Sequence, residues 1–208
     1  MMDYLRDPQA IYARSFEIIR AEANLSRFSA EEQAIAIRMI HACGMTNLVD
    51  DLVIDSGFVA AALMALRAGK SIFVDAEMVK HGIIARTLPA QNEIICALND
   101  PRARDIGVAQ GITRSAAAVE LWQPQLQGAL VVIGNAPTAL FHLLELIEAC
   151  RPKPAAIIAC PVGFVGAAES KAELAANSRG IPFITIKGRR GGSAMAAAVI
   201  NALTGDMP

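Results

Sequence analysis

Leu130-Val131-Val132-Ile133-Gly134-Asn135-Ala136-Pro137-Thr138-Ala139-Leu140-Phe141-His142-Leu143-Leu144-Glu145 decides how this chain is read. The first four residues are a short run of β-formers, Gly134-Asn135 is a tight turn, and Pro137 suits the first turn of the apolar helix that follows. The stretch predicts strand, loop and helix, with Asn135 capping the helix. Free backbone N–H groups at such a helix start favour an anionic ligand. In open α/β sheets, ligands bind beyond the carboxyl ends of the strands. The candidate site is therefore placed here first.

The same alternation extends to both sides. Strands are predicted at 71–75, 93–97, 155–160 and 183–186, and helices over 76–84, 113–122, 137–150, 167–178 and 193–203. Strands alternating with helices imply right-handed βαβ units and a parallel sheet. The upstream part is helical: 8–23 with Pro8 at its start, a second helix opened by the capping box Ser29-Ala30-Glu31-Glu32 and stopped at Gly44, and a third over 57–67. Between the second and third, 46–55 is a connection with room for a short strand at Leu52 to Ile54. The expected fold is α/β, three-layer α/β/α, with a flavodoxin-like five-stranded parallel sheet in the order 2-1-3-4-5 and extra N-terminal helices. Its crevice would lie at Asp75-Ala76-Glu77 and Gly134-Asn135-Ala136-Pro137. All 208 residues read as one domain, helical over 1–70 and alternating over 71–208.

Composition narrows the function. Hydrophobic residues make up 54% of the chain and aromatics 5%, which suits close packing of Ala-rich helices on a sheet rather than an aromatic-rich sandwich. A net charge of −1 offers no bulk field for nucleic acid or an anionic membrane. Cys43, Cys96, Cys150 and Cys160 form no C-x-x-C pair, so neither a disulfide framework nor a zinc site is expected. The N-terminal Met-Met-Asp-Tyr-Leu-Arg-Asp-Pro lacks a signal-peptide pattern, and the longest apolar tract, Pro154 to Ala168, is too short to span a bilayer. A cytoplasmic protein without membrane or nucleic-acid partners is expected.

Several motifs are decoys. Ala68-Gly69-Lys70-Ser71 precedes a strand where a phosphate loop follows one, and Met64 stands where its first Gly belongs. Gly191-Gly192-Ser193-Ala194-Met195 has Met where a nucleophile elbow needs Gly. His41, His81 and His142 lack metal-binding spacing.

The remaining signals sit at helix starts and strand ends. His41, in Arg38-Met39-Ile40-His41-Ala42-Cys43-Gly44, is either a half-buried structural histidine or an acid/base group. His142 lies on an Ala/Leu stripe and reads as structural, and His81 could be either. Thr113 is a natural N-cap for Thr113-Arg114-Ser115, where Arg114 presents a fork suited to a carboxylate. Gly188-Arg189-Arg190-Gly191-Gly192-Ser193 follows the last strand with flexible backbone and two cations, a pattern suited to a polyanion. Gly163-Phe164-Val165-Gly166 follows the fourth strand and permits close approach of a flat ligand; the alternative is a plain helix start with Glu169 and Lys171 in solvent. These loops carry neither a strong nucleophile nor a metal cluster. They point to a large anionic organic molecule bound with modest acid/base help.

Arg38-Met39-Ile40-His41-Ala42, Thr113-Arg114-Ser115-Ala116-Ala117-Ala118, Ile133 to Phe141, Pro161 to Lys171 and Gly188 to Met195 together resemble the precorrin-8X methylmutase family, from Ile11-Tyr12 to the last helix. The resemblance implies an isomerase of cobalamin biosynthesis that moves a methyl group from C11 to C12 of a corrin precursor, a 1,5-sigmatropic shift giving hydrogenobyrinic acid. It implies no cofactor, no metal and no external methyl donor. It places the family histidine on His41, to protonate or hydrogen-bond the ring-C region, and the serine of the Tyr-x-x-Ser-Phe motif on Ser15, to contact substrate. It also implies a homodimer with active sites near the subunit interface. The tetrapyrrole substrate carries several carboxylates. For these the expected partners are Thr113, Arg114, Ser115, Asn135, Ala136, Pro137, Thr138, Gly163, Arg189, Gly192 and Ser193, with backbone N–H groups at Ala136 and Thr138, at Gly163 to Gly166 and at Gly191 to Ser193, and charge-assisted bonds from Arg114 and Arg189. Competing readings are a cobalt-precorrin-8 methylmutase, a non-catalytic corrinoid carrier and a flavodoxin-type phosphate binder.

Overall fold

The computed structural model describes residue 2 and residues 4–205. Met1, Asp3 and 206–208, the first two belonging to the N-terminal octapeptide considered above, lie outside the described residues. In chain order the elements are α1 (Pro8–Glu22), α2 (Ala30–Cys43), α3 (Leu48–Asp51), β1 (Leu52–Ile54), α4 (Phe58–Arg67), β2 (Ile72–Val74), α5 (Glu77–Gly82), β3 (Ile94–Cys96), α6 (Pro101–Gln110), α7 (Arg114–Glu120), β4 (Leu130–Ile133), α8 (Pro137–Glu148), β5 (Ala156–Ala159), α9 (Ala167–Ala176), β6 (Phe183–Ile186) and α10 (Ser193–Thr204).

Alternating side chains build two cores. Leu130 and Val132 of β4 join Ile72, Val74, Ile158 and Ile184 on one face, under α1, α2, α4, α5 and α10. Val131 and Ile133 join Phe73, Ile157 and Ala159 on the other, under α6 to α9. Strands buried on both faces read as continuous apolar runs, which is why β4 and β5 were legible. The sheet order is β1-β6-β5-β4-β2-β3. Neighbouring strands from β6 to β3 are parallel, whereas β1 runs antiparallel to β6, pairing Leu52 with Ile186 and Ile54 with Ile184. The expected five-stranded, purely parallel sheet is thus corrected to a mixed sheet of six. The cause is the return of the chain after α2. It arrives at the carboxyl end of β6, where Lys187 N donates to the Asp51 carbonyl at 2.8 Å, and can only descend antiparallel. Antiparallel edge strands on parallel sheets are common.

The N-terminal helices follow their caps. Asp7 caps α1, and the Ser29–Glu32 capping box opens α2. Gly44 closes α2 in the left-handed region at φ 70°, where a Cβ would be strained. Helix α6 was not anticipated, although Asp100 caps it, Pro101 starts it and Gly111 ends it. The N-cap of α8 is Ala136, without a side-chain cap bond, so the capping role expected of Asn135 is corrected; the Asn135 side chain is exposed.

Candidate active site

His41 sits in the last turn of α2 and faces α1. Ser15 Oγ lies 2.8 Å from its Nδ1. The Tyr12 and Phe16 rings stand 5.1 and 5.2 Å from the imidazole, and the Arg38 guanidinium lies over Tyr12. Spacings of three, one and three residues (12, 15, 16; 38, 41) place these groups on facing helix stripes. Burial, and secondarily the charge of Arg38, holds the His41 imidazolium below its usual range. The pair opens into a hollow of about 210 Å³ with Ile18, Ile19, Ile40 and Thr46.

The loop after β6 is tied to the same end of α2. Arg190 donates to Asn47 Oδ1 at 3.0 Å and pairs with Asp51, both in the connection that follows His41. Its carbonyl accepts from Lys171 Nζ at 2.5 Å. Lys171 is only 1% exposed, which corrects the reading that left it in solvent. Burial pulls its ammonium down to about 8 and pushes the neighbouring Cys160 thiol up to about 12. Gly192 N donates to the Cys160 carbonyl at 2.8 Å, and Gly163 N to the Arg189 carbonyl at 3.3 Å, so the loops after β5 and β6 are laced together. Arg189 covers the Phe164 ring at 5.4 Å, leaving Phe164 84% and Val165 90% exposed. Ser193 Oγ is buried and lacks a hydrogen-bond partner among the described residues.

The β4–α8 loop is organised by a residue that the sequence placed at the crevice without giving it a role. Asp75, 2% exposed at the end of β2, accepts from Gly134 N at 2.9 Å, Asn135 N at 2.9 Å and Ala136 N at 2.6 Å. The Ala136 N–H expected to meet a ligand carboxylate is therefore already engaged. Thr138 Oγ1 lies 2.8 Å from Thr113 Oγ1, which also caps α7. The two threonines line a hollow of about 270 Å³ with Phe141, His142 and Glu145. His142 lies 2.8 Å from Glu120 Oε1, the structural role expected for it, and exposed His81 lies 3.7 Å from Glu77. Ser115 is half-buried in the first turn of α7. Arg114 is exposed at the rim of a third hollow of about 690 Å³, lined also by Asp100, Arg104 and Val108.

Thus the structure joins Ser15 to His41, ties the 188–193 loop to the end of α2, and joins Thr113 to Thr138. It does not bring His41, Thr138 and Arg114 into one cavity of a single chain. The burial and partners of Asp75 and Lys171 were missed because those partners are backbone groups far along the sequence, visible only once strand register is known. Among the described residues no His, Cys, Asp and Glu cluster could hold a metal, and no helix is long and apolar enough to cross a membrane.

Comparison with known proteins converges on one family. The family model described as Precorrin-8X methylmutase matches residues 10–205. The Precorrin-8X methylmutase of Sinorhizobium sp is 58% identical over 97% of this chain and 96% of that protein. The one from Pseudomonas aeruginosa is 56% identical over 98% of each. A crystal structure of precorrin-8x methyl mutase from Thermus thermophilus superposes with a TM-score of 0.83 at 36% identity, covering 94% of this chain and 96% of that one. The chain belongs to the precorrin-8X methylmutase family, the isomerases of cobalamin biosynthesis.

Proposed function

We propose that this isomerase acts on precorrin-8X, moving the methyl group from C11 to C12 to give hydrogenobyrinic acid, with His41 as the acid/base group. The observation that carries the reading is the Ser15–His41 pair: a hydroxyl 2.8 Å from Nδ1, at the mouth of a hollow, in a family member. A methyl group that moves within one molecule needs no donor, so the protein has two tasks. It must hold one conformation of the macrocycle, and it must place a proton.

With the Ser15 hydroxyl donating to Nδ1, the proton of the neutral imidazole resides on Nε2, aimed away from α1. There it hydrogen-bonds the ring-C region and favours electron redistribution as the methyl migrates. The substrate's carboxylates are assigned to Arg114 and Arg189 and to the hydroxyls of Thr113, Ser115, Thr138 and Ser193; Asn135, Ala136, Gly163 and Gly192, whose N–H groups are engaged within the protein, and Pro137, which has none, contribute shape. The distribution of these groups over separate hollows supports a homodimer in which a second copy completes each site. The metal-free substrate is supported by the names of the relatives at 58 and 56% identity. Four unpaired cysteines support a reducing, cytoplasmic setting.

The test is a visible spectrum of the protein mixed with precorrin-8X, with His41→Ala beside it. Wild type should convert the spectrum to that of hydrogenobyrinic acid. The variant should bind but turn over ~10²- to 10⁴-fold more slowly, the usual range for a general acid or base. Near-normal turnover by the variant removes His41 from the chemistry. Binding without conversion by both proteins makes the chain a carrier, or the cobalt form its substrate.

A further inference from the structure

The switch point of this sheet lies between β2 and β4, which are neighbours whose following helices leave to opposite faces: Val79 of α5 is in one core, Leu140 of α8 in the other. In doubly wound folds this crevice is where a ligand settles, with its anion on the start of the helix. Here the crevice is filled from inside. Asp75 Oδ1 accepts from Gly134 N, and Oδ2 accepts from both Asn135 N and Ala136 N, at 2.6 to 2.9 Å. These are three consecutive N–H groups at the head of a 12-residue helix whose own N-cap supplies no side-chain bond. The loop is also closed from behind. A Cβ at Gly134 would meet Ser193 Cα and Val79 Cγ2 at 2.8 Å and Ala196 Cβ at 3.0 Å, so no ligand atom enters from the α5–α10 side.

We infer that Asp75 is a positioning residue: its buried carboxylate takes the place of an external anion at the start of α8 and fixes the Gly134–Thr138 loop in its ligand-ready shape. The inference rests on the reading of that loop as substrate-binding. It also explains why a polycarboxylate must be held by arginines and hydroxyls rather than by the α8 N-terminus. Thr138, two residues beyond the last of the Asp75 bonds, is thereby set against Thr113 at 2.8 Å. A structural bond alone would stabilise the fold; this one also selects which groups of the loop face a ligand.

The experiment compares wild type with Asp75→Ala, which opens a formate-sized space beside three N–H donors. Thermal melts without substrate and steady-state kinetics with precorrin-8X are run with sodium formate and, at matched ionic strength, sodium chloride. The variant should melt earlier and raise KM about tenfold or more with a smaller change in kcat, as loss of charge-assisted bonds to a binding loop predicts. Formate, but not chloride, should restore both Tm and KM, and should leave wild type unchanged. Unaltered KM in the variant, or lost stability that formate does not restore, overturns the assignment. If Asp75→Ala does not fold, Asp75→Asn carries the test at equal volume: KM rises with kcat kept, whereas a fall in kcat at constant KM overturns it. The melt needs no substrate, so a wild type that fails to isomerise precorrin-8X would count against the proposed function and leave the formate arm standing.

Discussion

At the residue scale, His41 is tuned toward neutrality. Its folded pKa lies below 6.5 because burial and then Arg38 disfavour the charged ring. The unfolded chain therefore binds the proton more readily. The stability this group contributes is present above pH 6.5 and is lost as pH falls through the folded value. The same sign governs activity. If the working form is the neutral ring with its proton on Nε2, kcat/KM falls on the acid side, with a midpoint below the ordinary histidine value. A pH profile of kcat/KM for wild type, read against Ser15→Ala to show that the limb belongs to this pair, checks it. A limb that instead falls as pH rises through neutrality would make the imidazolium the working species.

At the element scale, the structure turns on how tightly three loops at the carboxyl end of the sheet are packed. Gly191 lies against the backbone after β5: an added Cβ would press on the Cys160 carbonyl oxygen and stand 2.5 Å from that of Pro161. Gly192, beside it, has φ 131° and donates to Cys160. Gly191→Ala must therefore separate the β5 and β6 loops. Overpacking of this kind costs roughly 3 kcal/mol at its upper end, which for a chain of this size lowers Tm by about 6–12 °C. A thermal melt checks this, and a variant melting with wild type would show the loops to be free to part. Local signals made most elements legible, and the exceptions have physical causes. The capping box at Ser29, the apolar runs of β4 and β5 and Gly44 each declare themselves within a few residues. Helix α6 did not, because its stretch Pro-Arg-Ala-Arg-Asp-Ile-Gly-Val-Ala-Gln buries little beyond Ala103 and Gly107 and shows no apolar stripe. Strand β1 was visible as a short apolar run, but its antiparallel pairing depends on where α2 delivers the chain. Of the site, His41 stood out in the sequence as one of two alternatives and Ser15 only through the family pattern; their pairing, across 26 residues, was not legible. The buried roles of Asp75 and Lys171 were not legible, because a charged residue in a sequence reads as solvated until the fold shows what surrounds it.

At the scale of the whole molecule, the site is divided. His41 belongs to the layer of α1, α2 and α10, Arg114 and Thr138 to the layer of α7 and α8, with the sheet between. The loop tied to α2 follows β6, and the hollow under Arg114 follows β3, four strands away in the order β1-β6-β5-β4-β2-β3, roughly 19 Å at ~4.8 Å per strand. The net charge of −1 provides no long-range field to gather an anionic substrate, so its carboxylates must find their cations by contact. The proposed two-fold dimer would resolve the division, because an isologous interface can set one copy's Arg114 beside the other's His41. Subunit complementation follows. His41→Ala and Arg114→Ala homodimers, each nearly inactive, are mixed and allowed to exchange. Half of the random dimers are then mixed, and each of those carries one site with both residues native and one with neither. Activity should rise to about a quarter of the wild-type level. Sedimentation or native mass measurement follows the exchange alongside. Mixed dimers without regained activity would place both residues in the site of one chain, and a protein that stays at a single-chain mass would refute the dimer itself.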